Sequence, residues 1–215
     1  MIAGGGMVGI RRHSFFALRL LAGLLLLSCI TPAPGALNGK RSSLASAISS
    51  VAGQPRLVIG KSRYTVTLYK GERPVKTYPA VFGKGYADGD KQMQGDRRTP
   101  EGDFYICTMN DSKRFHKFMG LSYPDMKHAD AGLRSEMISP DEYAMIKKAI
   151  EERLMPPWDT RLGGAVGIHG RMQETGSALQ IVGENWTDGC IALDNTDIDE
   201  IYTVVSLGTP VTILP

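Results

Sequence analysis

The sequence predicts a mainly β domain of the α+β class, with one or two helices flanking the strands. Three observations carry that expectation. From Arg56 onward, short runs rich in β-branched and aromatic residues alternate apolar with polar positions, as half-buried strands do. Gly, Pro, Asp and Asn punctuate these runs at short intervals. Only one segment has strong helical spacing and caps, and a second has weaker helical character, so helices must pack against a sheet that is larger than they are.

Taken in order, "RLVIGKSRYTVTLYKGERPVKTYPAVFG" (56–83) reads as two or three strands joined by hairpins, with a break at Lys70-Gly71-Glu72. "KGYADGDKQMQGDRRTPEGDFYI" (84–106) is a long Gly-, Asp- and Pro-rich loop that leads into a strand around Phe104 to Cys107. Loops of this length inside a compact domain are usually functional or disordered. Gly83 and Thr99-Pro100-Glu101-Gly102 read as turn-setting positions. Lys91, Arg97 and Arg98 read either as contacts for substrate carboxylates or as solvated loop charges, the commoner case.

"SPDEYAMIKKAIEERLMPPW" (139–158) predicts a helix. Ser139 or Asp141 caps it, Tyr143, Ile146, Ile150 and Leu154 form its apolar stripe, and Pro156-Pro157 ends it. "GGAVGIHG" (163–170) is a glycine-bounded strand ending in His169. "CIALDN" opens another segment, "NTDIDEIYTVV" has the character of a capped helix, and "TPVTILP" is a terminal strand. There is no internal repeat.

The N-terminal residues have a different texture. Arg11 and Arg12 precede "FFALRLLAGLLLLS", an apolar run broken only by Arg19 and shorter than the roughly 20 residues a membrane span needs. Residues 1–29 therefore read as an export signal. "LLSC" resembles a bacterial lipobox, which would make Cys29 a lipidated first residue; cleavage near Ala33-Pro34-Gly35 or retention as an anchor are the alternatives. Residues 30–55, small and Ser-rich, read as a linker, leaving 56–215 as the folded domain. The formal charge of +3 is local to the signal: setting aside Arg11, Arg12 and Arg19 leaves 22 of the 25 basic residues against 22 acidic ones. A neutral body argues against a nucleic-acid partner, which needs a basic face.

With Cys29 assigned to the signal, two cysteines remain. Cys107 lies in a strand-like run and reads as a small buried hydrophobe; pairing it with Cys190 would give one disulfide, not a framework. Cys190 follows a glycine in "ENWTDGCIALDN", with 20 residues between it and His169. A free thiol supplies little thiolate at neutral pH, and a histidine within reach can take its proton and return it to a leaving amine. A carbonyl at Gly170 can fix the histidine tautomer. The turn Thr187-Asp188-Gly189-Cys190 can aim successive N–H groups at one oxyanion. A glycine before the cysteine keeps the approach open. His116 and His128 lack metal-ligand spacing and read as surface residues, with His128 or Tyr123 as alternatives for the cleft wall. Trp186 reads as a core contact rather than a pocket wall.

"IHG" followed by "WTDGCIALDNTDIDEIY" resembles the signature of the L,D-transpeptidase (YkuD-like) catalytic domain, with seventeen residues between His169 and Thr187 at the long end of that family's range. "AVFGKGYADGDKQMQGDRRTPEGDFYI" is similar to the family's stretch in which a strand leads to a Thr-Pro-x-Gly turn. "LSYPD" and "TRLGGAVGIHG" extend the likeness over most of 57–214. The resemblance implies a β-sandwich or barrel catalytic domain in which Cys190 is the nucleophile, His169 the general base and acid, and the Gly170 carbonyl its orienter. Thr187, Asp188, Gly189 and Tyr123 would bind the oxyanion or substrate. It implies a peptidoglycan stem peptide as substrate, a periplasmic cell-envelope location, a role in cell-wall organisation or cell shape, and no metal or cofactor. A cell-wall-attached protein is a further partner it allows. Two positions depart from the pattern: Asp188 stands where the family usually has histidine, and Ala192 where it often has arginine. "WTDGCIA" resembles a YafK-like subgroup, some of whose members hydrolyse peptidoglycan attachments. Transfer, hydrolysis as an L,D-carboxypeptidase or amidase, and non-catalytic peptidoglycan binding by an envelope lipoprotein are the readings carried forward.

Overall fold

The computed structural model of the chain describes residues 53–171 and 184–215. The signal and nearly all of the linker expected from the sequence lie outside the described residues.

Alternation builds the first half of the sheet. Leu57 and Ile59 of β1 (Pro55–Gly60) and Val66 and Leu68 of β2 (Thr65–Lys70) point one way and are buried, while their neighbours face out. β1 and β2 pair antiparallel, and β3 (Arg73–Pro79) continues the meander on β2 with a bulge between Leu68 and Tyr69. The expected hairpins are therefore present. β3 is an outer strand, mostly exposed and carrying Arg73, Lys76 and a proline at each end. Such residues discourage further strand addition.

The terminal strand β8 (Pro210–Leu214) inserts between β1, parallel, and β4 (Gly102–Ser112), antiparallel. β4 is longer than the sequence suggests. Its register shifts between Ile106 and Thr108, around Cys107, and beyond that point it pairs with β5 (His116–Leu121). β5 then pairs antiparallel with β6 (Gly167–His169), and β6 pairs parallel with β7 (Ile191–Ala192). The full order is β3-β2-β1-β8-β4-β5-β6-β7. Just after β3, Val81 bridges Ala192 of β7 and Gly83 bridges Thr187, so the two ends of the sheet meet. One curled, barrel-like sheet results, with β4 bending from one half to the other.

Its interior is a single apolar cluster that includes Leu57, Tyr78, Phe82, Phe104, Met119, Leu121, Ile168 and Ile191. α3 (Asn195–Val204) closes it with Ile198 and Ile201. Two further helices pack on each other around Ala129, Ile138, Ile146 and Leu162. α1 (Met126–Arg134) was not expected: its buried face is Ala129 and Gly132, too small to leave an apolar stripe in the sequence. α2 (Pro140–Glu151) starts at Ser139, whose side chain and that of Glu142 form a reciprocal capping box. It ends before Leu154, which is 55 % exposed and follows a left-handed Arg153. The expected stripe is therefore one turn too long.

His128 is not the surface residue its sequence context suggests. It is 4 % exposed, with Nδ1 on Asp125 and Nε2 3.1 Å from Asp90 Oδ1. Burial works against its charge, but hydrogen bonds to the two carboxylates outweigh it and raise its pKa. Asp125 also caps α1, so this histidine ties the helix to the loop at Asp90. His116 is partly exposed and lies 2.9 Å from Asp199 of α3. Cys107 and Cys190 are both free thiols, so the single disulfide does not form. Among the described residues no helix is long and apolar enough to cross a membrane.

Candidate active site

Strand parity brings the cysteine and the histidine together. Ile168 pairs with Ile191, and His169 with Ala192. Both isoleucines face the core. Gly167 and His169 therefore face the other side of the sheet, as do Ala192 and, two residues before it, Cys190. The bridge from Val81 to Ala192 covers the far edge of this pair of strands, with Val81 N–H donating to Ala192 O (3.0 Å) and Ala192 N–H to Val81 O (2.9 Å).

His169 is 1 % exposed, stacked on Phe115 at 4.3 Å between ring centroids and meeting Trp186 edge-on at 5.7 Å. Trp186 is thus a wall of the histidine pocket, where the sequence reading favours a core contact. Nδ1 of His169 lies 2.7 Å from the carbonyl oxygen of Gly170. A carbonyl only accepts, so Nδ1 carries the proton and Nε2 presents a lone pair. Burial lowers the His169 pKa to about 4, with the Gly170 bond opposing and the Arg114 charge assisting the shift. The ring is neutral at neutral pH. Gly170 leaves no room for a side chain: a Cβ there would lie 2.5 Å from Asn195 Oδ1 and 2.9 Å from Phe115 O.

Cys190 is half-buried, and its thiol donates to the Ala165 carbonyl at 3.6 Å. Its thiol hydrogen bond goes to Ala165 and that of His169 Nδ1 to Gly170, with none between the two side chains. Burial pushes the thiol pKa up to about 11, opposed by the Gly167 N–H and the Lys91 charge and slightly reinforced by Asp188. Between the two pKa values the resting pair is thiol and neutral imidazole, not thiolate and imidazolium. Alkylation of Cys190 by iodoacetamide, followed on its own tryptic peptide, should therefore accelerate about tenfold per pH unit from about pH 6 to about pH 9. A plateau reached below about pH 7 would instead indicate a preformed ion pair.

The turn before the cysteine is tied down from within. Thr187 Oγ1 donates to Cys190 O (2.7 Å) and accepts from Gly189 N–H (3.2 Å), while Thr187 N–H donates to Phe82 O (3.2 Å). Thr187 and Gly189 have thus spent their N–H groups, which corrects the expectation that the whole turn offers donors. Those of Asp188 and Cys190 have no acceptor among the described residues. Gly189 has φ +130°, and a Cβ there would lie 2.8 Å from Arg98 O. Only glycine suits both the dihedral and the close approach.

Tyr123 does not line the cleft. It is fully buried, and its hydroxyl donates to Leu162 O at 3.1 Å. The cleft at Cys190, about 490 Å³, is lined by Lys91, Arg97, Trp158, Gly164, Ala165 and Asp188, among others. Its loop wall is well ordered by hydrogen bonds. Asp96 accepts from Gln92, Met93 and Arg98 N–H groups and pairs with Lys91, which is 4 % exposed. Lys61, also buried, donates to Glu101, Thr99 O and Gly89 O at the base of the loop. Arg98 donates to Asp90 O, whereas Arg97 and Asp188 stay exposed and pair loosely at 3.7 Å.

Phe115, Trp158 and Ala165 escaped the sequence reading. Gly163-Gly164 was the available signal, since a Cβ on Gly164 would collide with Trp158 at 2.3 Å. Among the described residues no group of three or more His, Cys, Asp or Glu is arranged to hold a metal ion.

A family model described as the L,D-transpeptidase catalytic domain, YkuD, matches residues 54–213. Solved structures with similar folds include the K307A mutant of the helical cell shape determining protein Pgp2 from Campylobacter jejuni (19 % identity, TM-score 0.51), which aligns over 77 % of this chain and 52 % of its own. Bd1075 of Bdellovibrio bacteriovorus is similar at 15 % identity and TM-score 0.49, over 77 % of this chain and 49 % of its own. An L,D-transpeptidase from Xylanimonas cellulosilytica is similar at 13 % identity and TM-score 0.44, over 80 % of this chain and 69 % of its own. The chain thus spans about half the length of the first two. No curated protein matches it.

Proposed function

The chain belongs to the L,D-transpeptidase (YkuD) catalytic-domain family, and from that premise we propose that it is a cysteine-dependent acyl-transfer enzyme acting on peptidoglycan stem peptides. One observation supports this most strongly. A tautomer-fixed, neutral His169 and the Cys190 thiol lie on the same face of adjacent strands, with Cys190 opening onto a cleft large enough for a peptide.

In the proposed cycle the thiol turns from Ala165 O toward His169 Nε2, which takes its proton as sulfur attacks the amide carbonyl carbon. The carbonyl π electrons move onto oxygen, and the Asp188 and Cys190 N–H groups are the donors placed to receive that charge. Collapse re-forms the carbonyl and breaks the C–N bond. His169 passes its proton to the leaving amine, and a thioester remains on Cys190. An incoming amine or water then loses a proton to His169 and attacks the thioester, releasing the acyl group and returning the proton to sulfur. Because the resting thiol holds its proton, proton transfer is coupled to attack rather than preceding it.

An amine acceptor makes a cross-link or a protein attachment; water makes a shortened peptide. Burying His169 and Cys190 while leaving the cleft open to bulk solvent does not select between them. Incubation of the chain from Arg56 with tetrapeptide muropeptides and mass analysis of the products does. Dimers joined through an L,D-bond support transfer, shortened monomers only support hydrolysis, and no product overturns the enzymatic reading in favour of a binding protein. We further propose that residues 1–29 export the domain to the periplasmic side of a bacterial envelope, with the lipobox at Cys29 as its tether.

A further inference from the structure

Arg97 and Asp188 sit together at the mouth of the cleft, and both line it beside Cys190. They are the charged groups there that the fold has not used: Lys91, the other cation of the lining, is buried on Asp96 and Met93 O. The Arg97 backbone is clamped in place. It adopts φ +58°, its carbonyl accepts from Gly85 N–H at 2.9 Å, and Gly83 presses against that carbonyl so closely that a Cβ would lie 2.1 Å away. A non-glycine residue in this conformation is strained and persists where the surroundings impose it. The side chain is 60 % exposed, and only Nε approaches Asp188, at 3.7 Å; its two terminal nitrogens have no acceptor among the described residues. Asp188 is 83 % exposed. An exposed pair at this distance is easily parted.

A cation with an open fork on a constrained backbone and a carboxylate beside it match a ligand carrying an anion and a cation on one carbon. We propose that Arg97 and Asp188 recognise the zwitterionic α-amino-acid head at the distal end of a diamino acid in the acyl donor. The guanidinium takes its carboxylate and Asp188 its ammonium. This rests on the stem-peptide reading above. It also gives the aspartate at this position a role of its own: its side chain faces the substrate, while its backbone N–H remains in the turn. The strained Arg97 backbone sets the guanidinium on one side of the cleft, so a donor with a neutral or uncharged distal end lacks half of its contacts.

The test follows release of the terminal D-residue, which acylation gives whether water or an amine comes next. Tetrapeptide muropeptides would carry diaminopimelate, diaminopimelate amidated at its distal carboxylate, diaminopimelate acetylated at its distal amine, or lysine; a fifth donor would be amidated at the peptide C-terminus. Wild type should show a KM about tenfold lower for diaminopimelate than for the distal amide, the acetylated form or lysine. Arg97→Gln should lose discrimination against the distal amide, and Asp188→Asn against the acetylated amine, each read as the ratio of KM values between donors for the same variant. Arg97→Lys should regain part of it. Equal KM values across the distal ends in wild type, or an Arg97→Gln deficit that follows only the C-terminal amide, would overturn this assignment while leaving the enzyme reading intact. Release from no donor at all overturns both.

Discussion

Cys190→Ala should abolish turnover of stem peptides, lowering the rate by about 10⁵-fold or more, because among the described residues Cys190 is the one thiol that lines the cleft. Cys107 is not a substitute. It lies at the bulge of β4, with its thiol on Gly120 O and its pKa likewise pushed up to about 11 by burial. The substitution should leave the fold in place: the sulfur makes only weak contacts, its thiol donating to Ala165 O at 3.6 Å, and the side chain opens onto the cleft. Stability should change by about 1 kcal/mol or less. Turnover by the variant within tenfold of wild type, at an unchanged melting temperature, would remove Cys190 from the mechanism. The pairing of the two measurements matters, since a misfolded variant would be inactive for a trivial reason.

Gly83→Ala should be nearly as damaging, by a different route. The added Cβ would meet backbone on two sides: Arg97 O at 2.1 Å and Gly189 Cα at 2.9 Å. Neither can yield by a rotamer change. Gly83 also bridges Thr187, and its N–H donates to the buried Thr99 Oγ1 at 3.0 Å, while Lys84 N–H holds Thr187 O at 2.9 Å. One residue thus clamps the cleft loop onto the nucleophile turn. Forcing them apart should cost about 3 kcal/mol of stability. It should also lower acyl transfer about a hundredfold in whatever fraction remains folded, because a displacement near 1 Å at the oxyanion donors is costly. Thermal unfolding and the rate per folded molecule read the two effects separately. A variant with wild-type melting temperature and rate would show that the loop and the turn are not coupled through this contact.

How far the sequence foretells this architecture depends on the length scale of each interaction. β1, β2, β3 and β8 are legible because each carries its own alternation, and α2 because Ser139 and Glu142 lie within one turn of each other. β5 is not legible, since "HKFMGL" is placed by pairing with β4 and β6 rather than by its own pattern. α1 hides because a helix packed through Ala129 and Gly132 needs no large apolar residues. In the site, the His169-Gly170 and Gly189-Cys190 pairs are local and could be read directly. Phe115 on the histidine ring, Ala165 on the thiol and the distant Arg97 beside Asp188 arrive through sheet closure, which leaves no short-range trace. Tyr123 misled for the same reason: an aromatic before proline suits a cleft wall as well as a core, and only the packing of α1 and Leu162 puts it inside. His128 was misjudged because its two carboxylate partners come from different segments, one three residues away and one in the cleft loop.

The central claim is that a stem-peptide acyl group passes through Cys190. It is tested most directly by acid-quenching the protein with a tetrapeptide muropeptide and mapping the covalent adduct by mass spectrometry. The predicted result is an added mass equal to the donor without its terminal D-residue, confined to the peptide containing Cys190 and lost on brief exposure to hydroxylamine. Turnover with no adduct at any quench time, or an adduct on Cys107 instead, would contradict it.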